Sequence, residues 1–209
     1  MTIDLGAAYG AARARIGELV MAPDVDPELV VPATPEWTVH DVVAHLSGVA
    51  VDGTTGNMEG APGDEWTAAQ VARNAHRSIA EMVEEWSQTG LLMEAFLSSP
   101  AGERVAAAVI DTHTHEADLR HALGLPPEVP PKVLSWVGAT MSDGFSERVA
   151  EAGLAPVQLT ASDFEWFRGR LGRRTAAEVM AFGIPEPADA YLDAFFVFGR
   201  ADASLGEGT

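Results

Sequence analysis

The stretch TPEWTVHDVVAHLSG, residues 34–48, decides the fold that the sequence predicts. Thr38 stands where an N-cap belongs, and Asp41 follows three residues later, within reach of the first turn of a helix. Apolar residues then recur at spacings of three and four, which places them on one face: Val39, Val42, Val43, Leu46, Val49 and Ala50. The stretch therefore predicts an amphipathic helix that starts after Thr38 and buries this face.

Three further helices are predicted around this one from periodicity and from Gly and Pro punctuation. The first covers residues 4–20. The third begins at a capping box of Thr67 and Gln70, in which each side chain would cover one backbone N–H at the helix start. The fourth ends at Gly124. Four helices joined by loops predict a mainly α fold, a four-helix bundle.

A proline-rich segment divides the chain. LPPEVPPK, residues 125–132, contains four prolines in eight residues and is the best candidate for a boundary. We predict a helical bundle over residues 1–124, a linker over 125–132, and a small C-terminal region over 133–209 that packs on the bundle. That region is predicted to be α(+β), with a short strand at 157–160 between its helices.

Composition excludes several classes of function. The chain has 31 acidic and 13 basic residues, and this balance argues against binding to nucleic acid or to an anionic membrane. It contains no cysteine, which excludes disulfides, cysteine-ligated zinc and a cysteine nucleophile. No apolar run reaches the roughly 18 residues needed to span a bilayer, and the N-terminus lacks a signal-peptide pattern, so we expect a cytoplasmic protein.

Histidine is the residue type most able to bind a metal or move protons near neutral pH, and the chain has six. Asp111 and His115 are four residues apart and share a face of the fourth helix, while His45 flanks the apolar stripe of the second. These three residues could meet across neighbouring helices. Two imidazoles and one carboxylate leave coordination positions open, as in a catalytic metal site. The same periodicity points His113 and His121 toward solvent.

Spacing alone leaves alternatives open. About one acid–histidine pair at this spacing is expected by chance, and spacing alone favours His115 as a core-edge histidine bonded to a helical neighbour. Asp118 either orients the His115 imidazole or is a solvated acid near the helix end. Glu116 falls inside the apolar stripe and is either a base facing the site or a sign that the helix phase is misjudged. Four arginines within 168–174 either bind an anionic substrate or offset a helix dipole.

Two sequence motifs favour the metal hypothesis. Residues 35–39 read Pro-x-Trp-Thr-Val and lead into Ala-His-Leu at 44–46. Residues 111–124 hold an acid, three intervening residues and a histidine, followed by Asp-Leu-Arg and Ala-Leu-Gly. Together they resemble the mycothiol-dependent maleylpyruvate isomerase family, which belongs to the DinB-like metal-binding bundles. The resemblance covers residues 5–124, and two later segments are similar to C-terminal regions of the same group.

The resemblance implies a DinB-like four-helix bundle whose metal ligands are His45, Asp111 and His115. It also implies mycothiol as the thiol cofactor, acting with a divalent metal for which zinc is favoured by the ligand types. The implied activity is cis–trans isomerisation or S-transfer on a small electrophile. Two departures limit what carries over. Asp111 stands where the isomerase has Glu, and the C-terminal region looks abbreviated, so no catalytic arginine is carried over.

Two other functions fit the same residues. The first is a metal-dependent hydrolase in which metal-bound water replaces the thiol as nucleophile. The second is a non-catalytic metal-binding protein of the same fold. The partners expected are mycothiol and a small electrophilic substrate, with a homodimer left open and with neither nucleic acid nor membrane.

Overall fold

The computed structural model describes residues 2–207, which fall into two compact units. The N-terminal unit is residues 4–128; the C-terminal unit is residues 129–207 together with the residues before Asp4. Regular structure within residues 2–207 is helical, and the β pairing found there is one isolated bridge between Val30 and Thr38. The predicted mainly α fold is confirmed. None of the described helices combines the length and apolarity needed to cross a membrane.

The N-terminal unit is built from five α-helices. They are α1 (Leu5–Val20), α2 (Val39–Thr55), α3 (Asp64–Asn74), α4 (Ile79–Leu97) and α5 (Ala107–Ala122). A short 3₁₀ turn, Gly102–Val105, precedes α5. Helix α1 packs against α4 and α5, while α2 packs against α3, α4 and α5. The apolar stripe predicted for α2 lies in the core, because Val42, Val43 and Leu46 are fully buried.

Helix starts follow local capping chemistry, and one predicted cap is wrong. At α2 the Thr38 hydroxyl accepts from the Asp41 N–H, and the Asp41 carboxylate accepts from the Thr38 N–H, which confirms the predicted start. The capping box predicted at Thr67 and Gln70 does not form, because α3 begins earlier, after Gly63. Helix α3 ends at Asn74, and a true capping box at Ser78 begins the separate helix α4.

The C-terminal unit contains four shorter elements around an aromatic core. They are α6 (Pro131–Glu151), α7 (Asp163–Arg168), α8 (Ala176–Met180) and α9 (Ala188–Phe195). Phe195 lies at the centre, with its ring centroid 5.3–6.2 Å from those of four other aromatic rings: Phe145, Trp166, Phe182 and Phe196. The aromatic-rich segment YLDAFFVFG, residues 191–199, is helical up to Phe195.

The strand predicted at 157–160 is wrong. The segment has no regular structure, and within the described residues no second strand lies beside it. A strand needs a partner for its backbone groups. Here the Thr160 N–H donates instead to the carbonyl of Phe182, in the turn after α8. The C-terminal unit is therefore helical rather than α(+β) in the part of the chain that the structure describes.

Phe195→Ala is expected to destabilise the C-terminal unit by about 3–5 kcal/mol, because truncating a fully buried aromatic side chain leaves a cavity. Phe198→Ala is the matched control. Phe198 is 60% exposed, so its loss should change the free energy of unfolding by about 0.5 kcal/mol or less. Urea denaturation followed by tryptophan fluorescence measures both, since Trp166 stacks on Phe195. Equal decreases in the free energy of unfolding in the two variants would contradict a core centred on Phe195.

Candidate metal centre

Helices α2 and α5 bring the three predicted ligands together. Nε2 of His45 lies 3.3 Å from Oδ2 of Asp111, and Nε2 of His115 lies 3.5 Å from Oδ1 of the same carboxylate. One ligand atom from each residue lies within 4.8 Å of the other two, so the group could hold a metal ion. Asp111 and His115 share a face because they are one helical turn apart, and α2 places His45 opposite them.

A hydrogen-bond chain fixes the proton on His45. Nδ1 of His45 lies 2.8 Å from Oε1 of Gln70, and Nε2 of Gln70 donates to Oδ2 of Asp52 at 2.9 Å. A carboxylate only accepts, so the amide NH₂ of Gln70 must face Asp52 and its oxygen must face the imidazole. His45 Nδ1 therefore carries the proton and donates it, which leaves the ring's lone pair at Nε2, facing Asp111.

Asp118 lies behind the second imidazole. Nδ1 of His115 is 3.1 Å from Oδ2 of Asp118, which is close in distance although not aligned as a hydrogen bond. The alternative of a solvated acid is wrong, because Asp118 is fully buried. A carboxylate beside Nδ1 favours the proton on that nitrogen, as it does for metal-binding histidines in general. The lone pair of His115 is thereby directed to Nε2, on the side of Asp111.

The donor set of this site suits a divalent cation. Nε2 of both imidazoles and a carboxylate converge, while Gln70 is hydrogen-bonded to the far nitrogen of His45 and Asp118 lies close to the far nitrogen of His115. Such groups repel one another unless a positive charge lies among them, and a metal ion would supply that charge. Three protein ligands leave room for a further ligand in tetrahedral zinc coordination. A metal ion held by these three residues would therefore lie in an open site rather than a closed structural one.

The surroundings are apolar on one side and open on the other. The ring of Trp37 lies against both imidazoles, with centroids 5.2 Å from His45 and 5.7 Å from His115. The imidazoles are only 6–7% exposed, whereas the side chain of Asp111 is 35% exposed, so solvent reaches the site past the carboxylate. Trp37 thus shields both rings.

Tyr9 on α1 is a further polar group near the site. Burial raises the pKa of Tyr9 to about 12, and the negative charge of Asp111 acts in the same direction. The phenol therefore keeps its proton, and its oxygen accepts a hydrogen bond from Nε1 of Trp86 at 2.8 Å. The sequence gives no sign of a role for Tyr9, because in α1 it is one of several residues on the buried face of the helix.

Glu116 and His113 do not belong to the group formed by His45, Asp111 and His115. The Glu116 carboxylate forms two hydrogen bonds of 2.6 Å with Arg15; burial raises its pKa and the guanidinium opposes that shift. The expectation that His113 points to solvent is wrong, since it is fully buried and donates from Nδ1 to the Val109 carbonyl. Burial lowers the pKa of His113 to about 4. His121, the other histidine expected in solvent, is half-buried.

The four arginines expected either at a substrate or at a helix end are buried in the C-terminal unit: Arg168, Arg170, Arg173 and Arg174. Arg174 pairs with both Glu165 and Glu207. Arg170 donates to the carbonyl of Ala194 near the end of α9, and burial lowers the pKa of Arg170 to about 10. Arg170 thus lies at a helix C-terminus, as the alternative of an offset helix dipole expects, but the helix is α9 and not its own.

Arg15→Met is expected to lower the free energy of unfolding by about 3 kcal/mol, because it leaves the buried Glu116 carboxylate without its cation. Glu116→Leu should cost a similar amount. The double variant Arg15→Met/Glu116→Leu should lose clearly less than the sum, since no buried charge then lacks a partner. Chemical denaturation of the three variants gives this cycle, and strict additivity would contradict the pairing.

Comparisons of the chain with protein-family models, with curated proteins and with solved structures gave no match. The resemblance of residues 34–48 and 111–124 to the mycothiol-dependent maleylpyruvate isomerase family therefore stays a prediction. The hypothesis of a metal centre depends on those motifs and on the geometry of His45, Asp111 and His115.

Proposed function

We propose that this chain is a mycothiol-dependent enzyme that binds one divalent metal ion, zinc, and acts on a small electrophile. The ligands would be Nε2 of His45, the Asp111 carboxylate and Nε2 of His115. One observation carries the proposal: both imidazoles turn Nε2 toward a single carboxylate while their Nδ1 atoms face Gln70 and Asp118. Ring nitrogens held in this way are typical of metal-binding histidines.

The choice of zinc follows from the ligand types. Imidazole nitrogens with one carboxylate oxygen and an open position are a common catalytic zinc set. The shorter Asp111 fits this role where the isomerase has Glu, because its two oxygens each face one imidazole. The carboxylate thus lies between the rings, and no longer side chain is needed to reach them.

The proposed reaction needs a sulfur nucleophile from outside the chain. A bound divalent ion favours the thiolate form of a thiol that reaches it. The chain contains no cysteine, so that thiol must be a small molecule, and mycothiol is the one that the sequence resemblance implies. Trp37 keeps water from the buried sides of the imidazoles, and the exposed side of Asp111 is the route by which a thiol and an electrophile would arrive.

Isomerisation and S-transfer remain joint candidates for the activity. In the first, the thiolate adds to an electron-poor double bond, the resulting single bond rotates, and the thiolate leaves as the double bond re-forms. In the second, the sulfur displaces a leaving group from the electrophile or opens it, and stays on the substrate. Both require the same thiol and the same route past Asp111. They differ in the substrate that the site accepts, so assays of both kinds of electrophile are needed.

Metal content tests the ligand set. The purified protein should hold about one divalent ion per chain, and His45→Ala and His115→Ala should each lose it, since two remaining ligands hold zinc poorly. His76→Ala is the matched control because it removes an exposed histidine from the same unit. It is a better control than His113→Ala, which would leave a cavity in the core. Elemental analysis after dialysis gives the content, and full retention in His115→Ala would refute the ligand set.

Thiol dependence tests the activity. In the cobalt-substituted protein, titration with mycothiol should produce a sulfur-to-cobalt charge-transfer absorption, and turnover of an electrophile should require the thiol. S-methyl mycothiol is the matched control, because it keeps the sugar portions and cannot form a thiolate. Turnover without any thiol, with an unchanged cobalt spectrum, would favour the hydrolase. A bound metal with no turnover of either kind of electrophile would favour the non-catalytic protein.

A further inference from the structure

We propose that helix α3 is coupled to the metal site through Gln70: α3 positions His45 for the metal, and an occupied site holds α3 against α2. Gln70 and Asp52 are then positioning residues that act on the metal through His45. This inference rests on the proposed metal binding, and it concerns residues outside the ligand set.

Helix α3 is held in place by polar contacts. Its two buried residues are Gln70 and Asn74, and none of its apolar side chains is buried to the same extent. Asn74 donates from Nδ2 to the carbonyl of Ala44 on α2 at 3.1 Å. An isolated helix of this length is marginal in water, and most helices in proteins are stabilised by burying an apolar face. The stability of α3 therefore depends on its hydrogen bonds to α2.

A glycine lets α3 approach α2 closely enough for Gln70 to reach the imidazole. A Cβ atom at Gly48 would lie 2.7 Å from Cβ and 2.8 Å from Cγ of Gln70, closer than real side chains pack. Gln70 crosses this point of contact and is fully buried between the two helices. The side chain is confined there, and its amide faces His45 on one side and Asp52 on the other.

Asp52 holds the amide of Gln70 in one orientation. Its buried carboxylate accepts from Nε2 of Gln70, from a guanidinium nitrogen of Arg73 at 3.0 Å and from Nδ2 of Asn57 at 2.9 Å. All three partners are donors, so this carboxylate cannot tolerate the amide oxygen of Gln70 in place of its nitrogen. A flipped Gln70 would place its NH₂ group against the Nδ1–H of His45, and the proton would move to the nitrogen needed by the metal.

The coupling follows from the shared imidazole. A cation at Nε2 draws electrons from the ring and makes Nδ1–H a stronger donor, which strengthens the hydrogen bond to Gln70. Thermodynamic linkage makes this effect reciprocal. If bound metal increases the equilibrium constant for docking of α3 on α2 by some factor, docked α3 increases the affinity for the metal by the same factor. The buried Asp118 serves His115 from within α5 itself, so coupling to a separate helix is a property of His45.

The test compares Zn²⁺ affinity with hydrogen exchange in α3. In the wild-type protein, Zn²⁺ should slow amide exchange over residues 64–74. Gln70→Leu removes both hydrogen bonds at similar size; it should weaken Zn²⁺ binding by about 10- to 100-fold and remove the Zn²⁺-dependent slowing. Gln88→Leu is the matched control, since Gln88 is exposed on α4 and bonds to Glu84 one turn away, and it should behave as the wild type. Competition with a chelating dye gives the affinities.

A second readout separates positioning from general stability. Nitrogen NMR of the metal-free protein should show His45 with its proton on Nδ1. Asp52→Asn should shift part of the population to Nε2, because a side-chain amide at this position tolerates either orientation of Gln70. Loss of stability alone would not move this proton. If Gln70→Leu fails to fold, Asp52→Asn still tests whether Gln70 positions His45, because this variant leaves the contacts of Gln70 with Gly48 unchanged.

The outcomes distinguish this inference from the proposed function. A wild-type protein that binds no Zn²⁺ overturns the proposed function and the coupling with it. A wild-type protein that binds one Zn²⁺, with Gln70→Leu binding as tightly or with exchange in α3 unaffected by the metal, overturns the coupling alone. An unchanged His45 proton in Asp52→Asn overturns the role of Asp52 in positioning.

Discussion

The site depends on one electrostatic constraint: two imidazole nitrogens and a carboxylate converge inside a helical unit, and a cation among them would offset their mutual repulsion. His45 presents its lone pair at Nε2 when Nδ1 carries the ring proton, and the amide oxygen of Gln70 accepts a hydrogen bond from that N–H. His115 meets the same requirement beside Asp118. The close approach of α3 to α2 and the buried acid in the last turns of α5 both follow from this need.

Buried acids occur throughout the structure, and cations or donors accompany them. In the N-terminal unit, Glu116 pairs with Arg15, and Asp52 pairs with Arg73 and with amide donors. In the C-terminal unit, Arg174 pairs with Glu165 and Glu207. Although basic residues are few in this acidic chain, several of them lie inside, where an uncompensated carboxylate would be costly. The net charge therefore describes the surface, and it gives no information about the polar networks of the interior.

Patterns that involve one helix at a time were predictable from the sequence. The capping pair at Thr38 and Asp41 and the apolar stripe behind it located α2, and the four-residue spacing placed Asp111 beside His115. One contact between helices was predicted, that of His45 with Asp111 and His115, but the other contacts between helices were not predictable. Thr67 and Gln70 match a capping signature, yet Gln70 serves His45 across a helix interface that no local pattern encodes. His113 was placed in solvent because periodicity assumes an exposed face, whereas α5 is buried all round between residues 112 and 119.

The site thus combines ligands of different rigidity. Asp111 and His115 lie on a helix enclosed by the core, and His45 lies on the buried face of α2. The group that orients His45 belongs to α3, which has no buried apolar face of its own. Segments with few buried apolar contacts open at lower free energy than the core does. On the proposed coupling, the affinity for metal would therefore respond to whatever stabilises or displaces α3, while the three ligands stay in place.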